Sequence, residues 1–124
     1  MFASYVDSHC HLDDPAFEPD RDAVVARAEA AGVRFLVVIG GSSGPDDISS
    51  ALRIAEAGDA DEREPRPQSA VQIYAAGGIH PHEAGKARES HFEEIRQIAQ
   101  HPRFLAIGEI GLDYHYDHSP RPLQ

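Results

Sequence analysis

At 124 residues, with 41% hydrophobic and 26% charged content, the chain has the composition of a single soluble globular unit, which excludes a fibrous or disordered polymer. Twenty-one acids against eleven bases, ten of them arginine, give a formal charge of −10, which argues against a broad basic face for sequence-independent nucleic-acid binding. No apolar run approaches the roughly 18 to 20 residues that span a bilayer, and "MFASYVDSH" lacks both a basic segment and a long apolar one, so the expected location is the cytoplasm.

In chain order, "ASYVDSH" reads as a short strand that runs into "VDSHCHLD", where two histidines stand one residue apart among acids. The lone cysteine, Cys10, lies between them and cannot form an internal disulfide. "RDAVVARAEAAG" predicts a helix with Val24, Val25, Ala28 and Ala31 on one face and Gly32 as its stop. "RFLVVIG" predicts a buried strand, followed by a flexible "GGSSG" turn. A second helix is expected to start at Pro45, carry an apolar stripe through Ile48, Leu52 and Ala55, and end near Gly58. "GDADEREPRPQS", about 58 to 69, has no apolar periodicity and reads as an exposed loop rather than a domain boundary, because strand-like text resumes at "AVQIYAAGGIHPH". A third helix is expected near Ser90, where "SHFE" has capping-box spacing, with Phe92, Ile95 and Ile98 buried. "RFLAIGEIG" is the fourth strand, and "LDYHYDHSPRPLQ" has no clear element.

The order is βαβαβαβ, with strands opening near 3, 34, 71 and 104. The fold class is therefore α/β with a parallel sheet, whose crossovers need about 30 residues per unit. A doubly wound nucleotide-binding sheet would place a glycine-rich phosphate loop after the first strand. This chain has "DSHCHLDD" there, which points instead to a (β/α)8 barrel, of which 124 residues supply about half.

The chemistry gathers at the carboxyl ends of the strands, the face on which such barrels build active sites. His9 and His11, two apart, can face one cavity, and neutral imidazoles are common ligands for zinc and related metals. The third strand ends in His80 and His82, the fourth in Glu109 and Asp113. Glu109 is an acid in an apolar strand between glycines, costly to bury unless paired or bound to metal. His91, His101, His115 and His118 read as solvated surface residues. Asp46 and Asp47 read as first-turn acids complementing a helix dipole.

"YVDSHCHLD" at 5 to 13, "GIHPHEA" at 78 to 84 and "IGEIGLDYHYDHSP" at 107 to 120 together resemble the TatD family of metal-dependent hydrolases, in the amidohydrolase superfamily, in the family's order and over essentially the whole chain. The resemblance implies the N-terminal half of a TIM barrel, with four parallel strands and three intervening helices, and a hydrolase usually described as a deoxyribonuclease. It implies His9, His11 and Glu109 as ligands of divalent metal ions, two in number and of the Zn, Mg or Mn kind. Glu109 would serve as the catalytic carboxylate that joins them, His80 would contact substrate, and Asp113 and Tyr114 would have supporting or rim roles. The expected partner is DNA or another phosphodiester or ester substrate, with no membrane.

Members of the family continue through four further strands bearing two more ligand histidines and an aspartate, whereas this chain stops at "SPRPLQ". The expectation is one partial domain over 1–124, as an N-terminal fragment, a truncated product or a partial record. Two functions follow: half of the active site of a TatD-type hydrolase, or a non-catalytic half-barrel with weak metal binding. A related phosphoesterase or deacylase is the alternative within the enzyme class.

Overall fold

The computed structural model describes residues 4–57 and 70–124, so the loop expected over 58–69 lies outside the described residues. Four strands form one sheet in the order β1-β2-β3-β4, every neighbouring pair parallel: β1 Tyr5–Cys10, β2 Val33–Gly40, β3 Gln72–Gly77 and β4 Phe104–Ile107. Three helices alternate with them, α1 Arg21–Ala30, α2 Ser50–Ala57 and α3 Glu89–Ile98. The expected α/β architecture is observed. No helix among the described residues is long and apolar enough to cross a membrane.

Alternation along the strands sets where the core forms. On β2, Leu36 and Val38 turn toward the helices and are buried at 4% and 0% exposure, while Phe35 turns to the other face and stacks on Tyr74 of β3, with ring centroids 6.3 Å apart. Leu36 and Val38 join Ile73 and Ala75 of β3, Phe104 of β4, and Ala51, Leu52 and Ala55 of α2 in one cluster. Burying a side chain such as Val38 in it contributes about 1.5–3 kcal/mol. Val24 and Val25 of α1 pack against the edge of this cluster, as the periodicity of that helix requires.

Two glycines bring α2 onto the strand ends. Gly40 and Gly77 are register partners, and a Cβ on either would meet the Ile48 carbonyl oxygen, at 2.2 Å for Gly40 and 3.0 Å for Gly77. Their bare backbones let the Pro45–Asp47 3-10 turn and the start of α2 cross directly over the sheet's carboxyl end.

The third helix starts at Glu89, where it is expected, but departs from expectation in its cap. Its N-cap is Arg88, and the reciprocal pair is Arg88 with His91 rather than Ser90 with Glu93. The phase is set by His91, which is only 3% exposed because its Nε2 lies 3.0 Å from Asp46 Oδ1 and its Nδ1 accepts the Arg88 backbone N–H at 3.3 Å. With His91 and Ile95 turned inward, Phe92 is carried about 100° around the helix and stays exposed. His91 is thus buried and partnered, not solvated, and Asp46 is its partner, with Arg88 on the same carboxylate oxygen. The hydrogen bond from His91 is the main cause holding the Asp46 carboxyl below its usual range.

Candidate metal centre

β1 and β4 are the two outer strands of the sheet. With neighbours about 4.8 Å apart, a flat sheet would hold side chains standing on them about 14 Å from one another. Yet His9, His11 and Glu109 each offer a ligand atom, and all three atoms lie within 4.8 Å of one another. The sheet is therefore curled so that its carboxyl ends converge, as the strands of a barrel do. His9 Nε2 lies 3.3 Å from His11 Nε2 and 3.5 Å from Glu109 Oε1, and His11 Nε2 lies 3.9 Å from Glu109 Oε2. Gly78 permits the last approach, because a Cβ there would stand 2.9 Å from the Glu109 carbonyl oxygen and 3.1 Å from the Gly108 carbonyl carbon.

Hydrogen bonding assigns the protons on His11. Ser42 Oγ donates to Asp13 Oδ1 at 2.5 Å, so it can only accept at its contact with His11 Nδ1, 3.0 Å away. Neutral His11 therefore carries its proton on Nδ1 and directs the Nε2 lone pair at His9 and Glu109, the orientation a metal ligand needs. Asp13 anchors the relay. It is buried, and its other oxygen accepts from the Ser42 backbone N–H at 2.9 Å and the Ser50 hydroxyl at 2.8 Å. Two imidazole nitrogens and one carboxylate, with one imidazole locked in the ligating tautomer, fit a small divalent cation.

Sequence reasoning overlooked Asp13 and Ser42. The "GGSSG" turn is not merely flexible, since its first serine closes a contact to an acid 29 positions earlier. The doubled acid "DD" directly after "HCHL" was the available signal. Cys10, between the ligand candidates, turns away as alternation predicts. Its Sγ lies 3.5 Å from the Val37 carbonyl, and burial, aided by Asp7, pushes its thiol up to about 11.

Histidines 80 and 82 stand nearby but do not join the trio. His80 caps the Pro81–Lys86 3-10 turn, and its Nδ1 accepts the His82 backbone N–H at 3.2 Å. In the neutral ring the proton then sits on Nε2, which makes His80 a donor at its outer nitrogen. His82 Nε2 pairs with Asp113 Oδ2, and Asp113 Oδ1 accepts backbone N–H groups from His115 at 2.8 Å and Tyr116 at 3.2 Å. The His115 N–H, then His82 and the Tyr116 N–H, hold the Asp113 carboxyl at about 2. Asp113 thus serves His82 and its own turn rather than the three-residue centre.

One cleft of about 370 Å³ brings two of the three ligand candidates together with the histidines of the third strand, its walls including His11, Ser42, His80, His82, Lys86 and Glu109. Lys86, the sole lysine of the sequence, is paired with Glu83 at 2.5 Å. A larger groove of about 790 Å³ runs between α1 and α2, and its walls hold no histidine and not Glu109. The chemistry therefore belongs to the smaller cleft.

A family profile described as TatD related DNase matches residues 6–124. The chain is 35% identical over 118 residues to the uncharacterized metal-dependent hydrolase YabD of Bacillus subtilis (strain 168), covering 95% of this chain and 41% of that protein. It is 37% identical over 109 residues to the 3'-5' ssDNA/RNA exonuclease TatD of Musicola paradisiaca (strain Ech703), covering 88% of this chain and 36% of that protein. The crystal structure of an uncharacterized amidohydrolase from Saccharomyces cerevisiae matches with a TM-score of 0.70 over 98% of this chain and 41% of its own, a likeness of fold at 21% identity. The chain thus spans about two fifths of the length of these relatives.

Proposed function

We propose that this chain, which belongs to the TatD related DNase family, supplies one share of the active site of a divalent-metal-dependent hydrolase that cuts phosphodiester bonds in DNA or a related nucleic acid. Residues 1–124 act in it as one partial domain, in the cytoplasm. The observation that supports this most is the convergence of His9, His11 and Glu109 from opposite edges of the sheet.

His9, His11 and Glu109 would hold divalent cations, with Glu109 as the carboxylate ligand shared at the centre. Divalent cations held there supply Lewis-acid polarisation of a phosphoryl oxygen and favour deprotonation of water near neutral pH. The relay from Asp13 through Ser42 keeps the His11 proton on Nδ1 and its Nε2 lone pair free, so that His11 would be oriented to ligate a cation. His80 donates its Nε2 proton to a phosphate oxygen, adding a hydrogen bond that strengthens as charge develops there. Divalent cations held there would offset the repulsion that a chain of formal charge −10 exerts on a polyanion.

The test is hydrolysis of a labelled single-stranded oligonucleotide by the full-length protein. Cleavage is expected with Mg²⁺, Mn²⁺ or Zn²⁺, to vanish with chelator, and to be absent from a His9→Ala, His11→Ala double variant. Undiminished cleavage by that variant would refute the assignment. Faster turnover of aminoacyl esters or small phosphodiesters than of DNA would move the substrate to the deacylase or phosphoesterase class.

A further inference from the structure

Beside the cleft, the segment after β4 gathers rings that the hydrolytic reading leaves unused. Tyr116 and His118 lie parallel, with centroids 5.6 Å apart and planes 7° from one another. The His82 ring stands edge-on to both, at 5.7 Å from Tyr116 and 4.6 Å from His118, and edge-on to His80 at 4.3 Å. His82 and His80 are walls of the cleft, so the rings lead from solvent to the reacting centre. Tyr116 is 64% exposed, with His118 parallel to it and the His115 ring edge-on at 4.5 Å.

The platform is held before any ligand arrives. Asp113 accepts the backbone N–H groups of His115 and Tyr116, while Ser119 Oγ donates to the His82 carbonyl at 2.7 Å and accepts the Gly85 N–H at 3.0 Å. Gln124 bonds the carbonyls of Asp113 and Ser119, closing the segment on itself. Arg121 binds the Asp117 carboxylate with both Nε and an Nη nitrogen, at 2.7 and 2.8 Å, so the acid beside the rings is neutralised. A preorganised pair of parallel rings whose neighbouring acid is paired suits a planar group better than a phosphate.

We propose that Tyr116 and His118 form a stacking platform for unpaired bases of single-stranded nucleic acid whose scissile phosphate lies against His80 and Glu109. This rests on the phosphodiesterase reading of the cleft. Bases inside a duplex are stacked on both π faces, so the platform favours unpaired bases over duplex interiors. Every base has such a face, so the contact is tolerant of sequence.

The test is fluorescence-anisotropy binding of a labelled oligothymidylate to the metal-free full-length protein, with KM and kcat for its cleavage measured alongside. Tyr116→Ala is expected to weaken binding roughly 5- to 100-fold and to raise KM similarly with little change in kcat. Tyr116→Phe, which keeps the π face, is expected to bind as the unaltered protein does. An oligonucleotide with abasic sites is expected to bind the unaltered protein as weakly as the intact one binds Tyr116→Ala. Unchanged binding in Tyr116→Ala, equal losses for Phe and Ala, or no binding of single strands at all would overturn the platform. Base-dependent binding without any cleavage would sink the hydrolase reading alone, and cleavage with a KM indifferent to Tyr116 would sink the platform alone.

Discussion

The two central strands and the two outer strands of this sheet do different work. β2 and β3 pair without interruption from Phe35 with Gln72 to Gly40 with Gly77 and supply most of the strand side chains in the buried core. Among the described residues, β1 and β4 have one neighbour each, break register along their pairings, and expose Tyr5, Val6, Leu105 and Ile107. The candidate metal ligands nevertheless come from the outer pair. The middle pair joins the two edges, and the curl of the sheet determines whether His9 and His11 can meet Glu109. Stability and ligand geometry are thereby assigned to different strands, and substitutions can separate them.

The largest expected effect on stability lies in the middle. Leu36→Ala removes a buried side chain from the main cluster and is expected to cost about 2–5 kcal/mol in urea unfolding, with ligand geometry intact in whatever fraction remains folded. The reverse case is Ser42→Ala, which leaves the core alone but frees the His11 ring. A loss of about 10- to 100-fold in metal affinity is expected from a metal titration, with a stability cost of about 1–3 kcal/mol because the buried Asp13 loses its Ser42 hydroxyl donor. If Ser42→Ala unfolds the protein instead, the division between middle and edge fails.

Gly78→Ala probes the joint between the two regions. Its new Cβ must push the Glu109 backbone away, so metal affinity should fall severalfold while His80 and the core are retained. The smallest effect concerns the turn beyond β4. The Asp113 carboxyl is depressed from an ordinary 3.8 to about 2, so its contribution is fully present above about pH 3.8 and is lost as pH falls toward 2. Carbon-detected titration of that carboxyl should give a midpoint near 2, with the His115 and Tyr116 amide signals moving in step. A midpoint near 3.8 would mean that these donors do not hold it.

Much of the fold was legible because strand and helix periods are local. Expected strand openings near 3, 34, 71 and 104 correspond to Tyr5, Val33, Gln72 and Phe104, and the β/α alternation follows from their spacing. The start of α3 expected near Ser90 corresponds to Glu89, but its capping pair differs: Ser90-Glu93 has the spacing of a cap, whereas the actual Arg88–His91 pair depends on Asp46, 45 positions before His91. Phe92 was assigned to the core on apolarity alone, and that tertiary contact turned it outward. His9, His11 and Glu109 could each be singled out at strand ends. Their mutual distance could not, because it depends on sheet curvature and on bare glycines at 40, 77 and 78. The Asp13–Ser42–His11 relay was hidden for a similar reason, since it joins a strand end to a turn that only the fold brings together.

The most direct test of the convergence is calorimetric titration of the metal-free full-length protein with Zn²⁺ or Mn²⁺, run beside His9→Ala and Glu109→Gln. If residues from opposite edges share one centre, either substitution alone should abolish or sharply weaken binding at the same site, and combining them should add little. Unchanged stoichiometry and affinity in either variant, or losses that simply add, would contradict a shared centre at the mouth of this sheet.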